Sequence, residues 1–462
     1  MLNKNSNASI WLALLCLTAL AGCTSHRLYR TDPALCTSSR PELECRQSAL
    51  QQFADPARPD AGYLLGFIEF DDQGQLFARS QMQAVVDQLN MAAASQDLLM
   101  VVFVHGWKHS AEPGDDNIRT FRHSLERISE IEASISQRTG VAARKVVGVY
   151  LGWRGGSVTL PVIKELTFWD RKNTAHKVGH GGVTEVLNRL ELVRKTKHAV
   201  AADEAGSRTR LVVVGHSFGG AVVYSALSQI LMTGFVDTVG PDGVVTNAKG
   251  FGDLVVLINP AFEAMRFTPL SDMANERRSY FDTQLPVIAI LTSEADDATR
   301  LAFPAGRWFS TLFENYRDTT CENAVSRQNE VIEQRQADIT TVGHFEPYRT
   351  HYLKAKQREG SDSLAEAPVA EAVRLFFDVA ESWEHDKPGS VIDFLDSELT
   401  RTDNSVGRNP YLVIRVDGSL IKDHNDIDDP RIASFVRQLI LIASQSKDLD
   451  ERREIRSQWL GK

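Results

Sequence analysis

Cysteine is scarce in this chain. There are five in 462 residues, too few to hold so long a fold together by disulfides. Positive charge is in deficit as well: 51 Lys and Arg stand against 60 Asp and Glu, a formal charge of -9. That balance argues against a nucleic-acid binder, which gathers basic side chains on one face. Only one apolar run could concern a membrane, and it lies at the extreme N-terminus. No segment repeats at a fixed period, which excludes a solenoid or propeller. What is present is ordinary: 43% hydrophobic and 24% charged residues, a composition that folds around a core. The length suits two or three domains, or one large domain with insertions.

The segment Met1 to Cys23 reads MLNKNSNASIWLALLCLTALAGC, with Lys4 as its only charged side chain and an apolar run from Ile10 to about Leu20. That run is about half of the roughly 20 residues a spanning helix needs, so it reads as the apolar region of a signal peptide. It ends in Leu20-Ala21-Gly22-Cys23, which resembles the lipobox of bacterial lipoproteins; a plain secretory signal is the alternative. The resemblance implies removal of residues 1–22 and lipidation of Cys23. With Thr24 rather than an aspartate next, it implies a membrane-anchored protein on the periplasmic side of the outer membrane. Cleavage would leave Cys36, Cys45 and Cys321. An exported chain can oxidise, and a Cys36–Cys45 bridge would close a short loop. Residues 23–61 show no clear period and read as a tether, and residues 447–462 as a polar C-terminal tail.

From about Gly62 short β-rich runs alternate with helical patterns. Strands are expected at Leu64–Phe70, Leu98–Val104, Lys145–Leu151, Arg210–Val214, Leu254–Ile258, Val287–Leu291 and Tyr411–Val416. Helices are expected at 80–95, 116–138, 183–200, 218–232 and 430–445. This alternation specifies an α/β fold, a doubly wound and mainly parallel sheet across residues 62–446. Two stretches break the rhythm. Residues 152–182 interrupt a strand-to-helix path, and 298–405 form a long insertion before the last strand, a place where lids and substrate walls often arise.

The chemistry concentrates in Val214-Gly215-His216-Ser217-Phe218-Gly219-Gly220. This is G-x-S-x-G between a buried strand and a helix, a turn so sharp that glycines must flank the serine. A serine hydroxyl is a poor nucleophile by itself and needs a histidine base and an acid to orient that base. A second run, Val101-Val102-Phe103-Val104-His105-Gly106-Trp107, resembles the oxyanion loop of lipases and esterases. Together they make the chain similar to serine hydrolases of the α/β-hydrolase superfamily over roughly residues 62–300 and 410–446. The resemblance implies oxyanion donors at the backbone N–H groups of Trp107 and Phe218, with His105 holding the loop. It also implies the chain order Ser, acid, His.

On that order the acid follows Val287–Leu291, where Glu294, Asp296 and Asp297 crowd the strand end. Asp296 is preferred; the others read as loop charges or a helix N-cap. For the histidine, His424 follows a late strand and precedes the last amphipathic helix, and it is preferred to His344. His351 reads as a pocket or structural residue. His180-Gly181-Gly182 imitates an oxyanion motif but lies between the wrong strands. The acidic cluster at Asp423, Asp426, Asp428 and Asp429 matches no EF-hand or zinc spacing, so no metal is expected, and the chemistry needs no cofactor. Trp107, Trp153 and Trp169, with Phe103 and Phe303, suit either an acyl pocket or core. The expected function is hydrolysis of a carboxylic ester through an acyl-enzyme on Ser217, acting on an ester or lipid-like small molecule. The alternatives are an acyltransferase or thioesterase with the same triad, or a lipid-anchored binding protein that has lost catalysis.

Overall fold

A seven-residue run without a polar side chain, Leu98–Val104, can only lie where both faces are covered. In the computed structural model it is the fully buried strand β4. Met100, Val102 and Val104 pack into one core and Leu99, Val101 and Phe103 into the other, as period-two alternation requires. The structure describes residues 26–156, 168–201, 207–239, 245–356, 369–427, 429–446 and 448–460. The expected signal peptide and the expected lipidation site Cys23 lie outside these, as do parts of the 152–182 and 355–370 stretches.

Among the described residues twelve strands form one sheet: β1 (Asp32–Ser38), β2 (Ser48–Phe53), β3 (Tyr63–Glu69), β4, β5 (Lys145–Gly152), β6 (Arg210–His216), β7 (Leu254–Ile258), β8 (Ile288–Ser293), β11 (His351–Ala355), β12 (Val391–Asp393), β13 (Ser397–Arg401) and β14 (Tyr411–Val416). Strands β9 (Thr319–Glu322) and β10 (Asn329–Ile332) make a separate ribbon. The spatial order is β1-β2-β3-β5-β4-β6-β7-β8-β14-β11-β13-β12. Every pair from β3 across to β11 is parallel. Among the described residues the antiparallel pairs of this sheet lie toward its edges, at β2–β3, β11–β13 and β12–β13. Helices α1 (Arg79–Ser95), α4 (Thr184–Val200) and α5 (Phe218–Val236) cover one face. Helices α2 (Asp116–Thr139), α7 (Val369–Glu384) and α8 (Pro430–Ala443) cover the other. Helix α3 (Phe168–Val178) and helix α6 (Phe303–Ser310) lie on the first side, through Ala175 and Phe303.

Local chemistry sets the helix limits. Asp115 caps α2 by accepting from the Asn117 N–H, and Gly140 ends it at φ 71°, a left-handed conformation that glycine adopts freely. Helix α5 is apolar almost all round because it is the core helix behind the serine turn. Its length and hydropathy would fit a membrane, but most of it is buried in the protein.

Three expectations are corrected. Residues 23–61 are not a tether: from His26 onward they belong to the body, and β1 and β2 extend the sheet. Their pattern was masked by Gln51, which is fully buried yet satisfied, donating to the carbonyls of Cys45 and Ser48. A Cys36–Cys45 disulfide clips the loop between the two strands. The 298–405 stretch is not simply a lid or wall, since β11, β12, β13 and α7 come from it. These strands have three to five residues, too short to show a period, and are held by Leu353, Ile392 and Leu399 in the core. Nor is 447–462 a loose tail. Leu449–Leu460 is helix α9, and Trp459 packs on Phe377 at 5.5 Å between ring centres.

Candidate active site

Strand β6 ends at His216 and α5 starts at Phe218, so Ser217 must reverse the chain alone. Its φ is 56° and ψ -122°, a sparsely populated conformation for a residue with a Cβ, costing about 1–3 kcal/mol. The surroundings hold it there. The Ser217 N–H donates to the Ile258 carbonyl at 2.9 Å, and its own carbonyl accepts from Gly220 and Ala261. The glycines permit the crowding. A Cβ on Gly215 would lie 2.7 Å from the Gly219 carbonyl oxygen. One on Gly219 would strike the Val104 carbonyl and lie 2.6 Å from that of His105.

The turn stands at the carboxyl end of β6, beside the point where β5 has passed behind β4 and the strand order reverses, the usual ligand crevice of an open parallel sheet. Two further loops at the same edge reach it. After β14 the chain presents His424, and after β8 it presents Asp296. The Ser217 Oγ lies 2.6 Å from His424 Nε2, and His424 Nδ1 lies 2.9 Å from Asp296 Oδ2. All three side chains are buried, at 1%, 8% and 0% relative exposure. Burial by itself would raise the Asp296 carboxyl. The hydrogen bond and charge of His424 and two hydrogen bonds from Thr299 outweigh it, and the carboxyl ionises below its usual range. As an ion Asp296 only accepts, so His424 carries its proton on Nδ1 and offers Nε2 to the serine.

Several positioning groups carry no sequence signal of their own. Thr299 gives both its N–H and its hydroxyl to Asp296. It lies three residues on, in the helical turn Ala298–Ala302. The His424 carbonyl is gripped by His216 Nε2 at 3.0 Å and by the Asn259 amide at 3.1 Å. Burial, then the neighbouring His424, lowers the His216 pKa to about 3, so it is a neutral donor. Asn259 also accepts from the Ser293 N–H, joining the loops after β7, β8 and β14.

The alternatives to these residues have other partners. His344 does not reach the serine; its Nε2 lies 3.0 Å from Thr299 Oγ1, and burial lowers its pKa to about 4. Asp297 is exposed and paired with Arg300, and Glu294 with Arg415. His351 sits on β11 against Thr350. His180 lies in the turn before α4, where the Gly182 N–H donates to Gly74. Among the acidic residues near His424, Asp423 caps its own turn and Asp429 caps α8; Asp428 lies outside the described residues. Among the described residues no group of three or more His, Cys, Asp or Glu could hold a metal.

The loop after β4 presses on the serine turn, because a Cβ on Gly106 would lie 2.6 Å from that of Ser217. Trp107 and Phe218 are both buried, each with its ring against Phe168, at 5.5 and 4.7 Å. His105 is buried and accepts from the Trp153 N–H, while the Trp153 ring N–H donates to the His105 carbonyl. Trp107 and Trp153 are therefore core, and Trp169 bridges Phe168 to Phe303.

No family model matches the chain, and no curated protein matches it. Among solved structures it is similar to phospholipase PlaB from Legionella pneumophila in complex with thio-NAD, at 12% identity and a TM-score of 0.24. The match covers 79% of this chain and 62% of that one, so the chain spans less than two thirds of that protein.

Proposed function

We propose that the chain is a serine hydrolase of the α/β-hydrolase fold that cleaves carboxylic esters. The observation that carries this reading is the unbroken buried line of hydrogen bonds Ser217–His424–Asp296 at the carboxyl edge of the sheet. A structural role explains it poorly, since the line is bought with a strained serine and a buried carboxylate.

In the reaction Ser217 Oγ attacks the ester carbonyl carbon while His424 Nε2 takes its proton. Asp296 holds the imidazole by Nδ1–H and stabilises it once charged. The backbone N–H groups of Trp107 and Phe218 serve the oxyanion; loss of one such donor costs about 10²–10³ in rate. Collapse of the tetrahedral intermediate expels the alcohol, which leaves with the proton from His424. Water then attacks the acyl-enzyme by the same steps in reverse, releasing the acid and restoring the serine.

A fluorophosphonate probe tests the reading. The wild-type chain should be labelled and the Ser217→Ala variant should not. A well-folded wild type that takes no label would sink the proposal.

A further inference from the structure

The catalytic edge carries a second feature. After Asp296 the chain passes through α6 and exposes Leu301 at 58%, Trp308 at 42%, Leu312 at 49% and Phe313 at 98%. Four large apolar side chains open to solvent within 13 residues are more than scattered surface hydrophobics, and such a patch marks an interaction surface. Ring contacts tie the start of α6 to the site: Phe303 lies tilted against Trp169 at 5.6 Å between ring centres, Trp169 edge-on to Phe168 at 5.4 Å, and Phe168 tilted against Phe218 beside the serine at 4.7 Å.

Where the chain enters the body says what covers the patch. Tyr29 and Arg30 donate their N–H groups to Glu69, the last residue of β3. His26 packs its ring on Phe77 and accepts from the Asp72 N–H. The N-terminus therefore joins the fold at the carboxyl end of β3, the edge that also carries Ser217, three strand spacings or roughly 14 Å away along the sheet. Only two residues, Thr24 and Ser25, lie between Cys23 and His26, and the three Cα-to-Cα steps reach roughly 10 Å at most. A lipid on Cys23 would keep the point where the chain enters the fold within about that distance of a bilayer.

We propose that the 301–313 surface docks on a phospholipid bilayer, so that anchor and patch together press the catalytic edge onto the membrane and the substrate is an acyl ester presented there. The docking rests on the exposed side chains and the entry point of the chain. The choice of substrate rests also on the hydrolase reading above. Two of the nearby arginines already have carboxylate partners, Arg300 with Asp297 and Arg307 with Asp338. The attraction is thus mainly apolar and should persist at high salt.

The test uses the chain from Thr24 onward, which contains every residue of the described fold, and vesicles of phosphatidylethanolamine with phosphatidylglycerol. Co-sedimentation should occur without the lipid and survive added salt. The double variant Leu312→Ser with Phe313→Ser should bind roughly tenfold or more weakly, as loss of two apolar side chains that docking would bury predicts. Its turnover of a short soluble ester should match wild type, while turnover of phospholipid in vesicles falls with binding. Equal sedimentation of variant and wild type would overturn the proposal. So would a wild type that ignores vesicles but runs as a dimer that the variant breaks, since a second copy would then be the occupant. A wild type that binds vesicles yet cleaves no ester would support docking and count against the hydrolase reading alone.

Discussion

Thr299→Val isolates the least conspicuous member of the buried line. The threonine hydroxyl donates to Asp296 Oδ2 and so must accept from His344 Nε2, because an ionised carboxylate has no proton to give. Valine keeps the branched shape and the backbone N–H that also serves Asp296. The change therefore removes the hydroxyl's hydrogen bond to a fully buried ion, a bond worth about 1.5–3 kcal/mol, together with the acceptor of the His344 Nε2–H. Two consequences follow. The variant should be less stable by about 2 kcal/mol in urea at neutral pH, and its Asp296 should ionise less readily than in wild type. Since the carboxylate must steady a charged His424 in the transition state, kcat/KM should fall roughly tenfold or more for a p-nitrophenyl ester. The sign of the pH effect is fixed by the direction of the shift. Asp296 ionises below the usual carboxylate range, so its contribution is complete above that range and lost as pH falls through the lower folded value. In the variant that loss should begin at higher pH, moving the acid limb of the rate profile upward. Thr299→Ser keeps the hydroxyl and should restore both stability and profile. If Thr299→Val has wild-type kcat/KM and acid limb while Ser217→Ala is inactive, the reasoning about this bond is wrong.

Three other outcomes are expected. Gly219→Ala drives a Cβ against the carbonyls of Val104 and His105, parting the two turns that meet at the serine; it should destabilise by about 3 kcal/mol or more and abolish fluorophosphonate labelling. His105 and His344 are lowered to about 4 and His176 and His216 to about 3, mainly by burial. Folded, they stay neutral while the unfolded chain protonates below about 6.5, so each loses about 1.4 kcal/mol per pH unit below that point. Urea midpoints should drop steeply between about pH 7 and pH 5, and a flat profile would contradict the burial of these rings. Reduction of Cys36–Cys45, which closes a loop with a sequence separation of 9, should cost about 2–3 kcal/mol on the chain-entropy account, measured by urea unfolding with and without dithiothreitol.

Much of the scaffold could be read from the residues. Leu98–Val104 and Tyr411–Val416 are strands over the expected ranges, and the helix expected at 116–138 runs Asp116–Thr139. These segments declare themselves because a buried parallel strand must be continuously apolar and a helix must be capped, and both demands are local. The same holds for Ser217, whose flanking glycines are required by contacts within its own turn. The edge strands and α9 did not declare themselves. Their short or polar sequences become β or helix only when a neighbour supplies the missing ladder or the other half of the core.

What the sequence determined by itself was a set of candidates and their order along the chain: a serine, then one of three carboxylates, then one of two histidines. Motif order already favoured Asp296 and His424; that these two meet Ser217 is a property of the fold. Asp296 and His424 are 128 positions apart, and they meet because β8 and β14 are neighbours and parallel, which brings the loops at their carboxyl ends together. His344 is closer in sequence to Asp296 but its ring meets the Thr299 hydroxyl and not the serine. No local pattern encodes that difference, because it depends on which strand lies beside which.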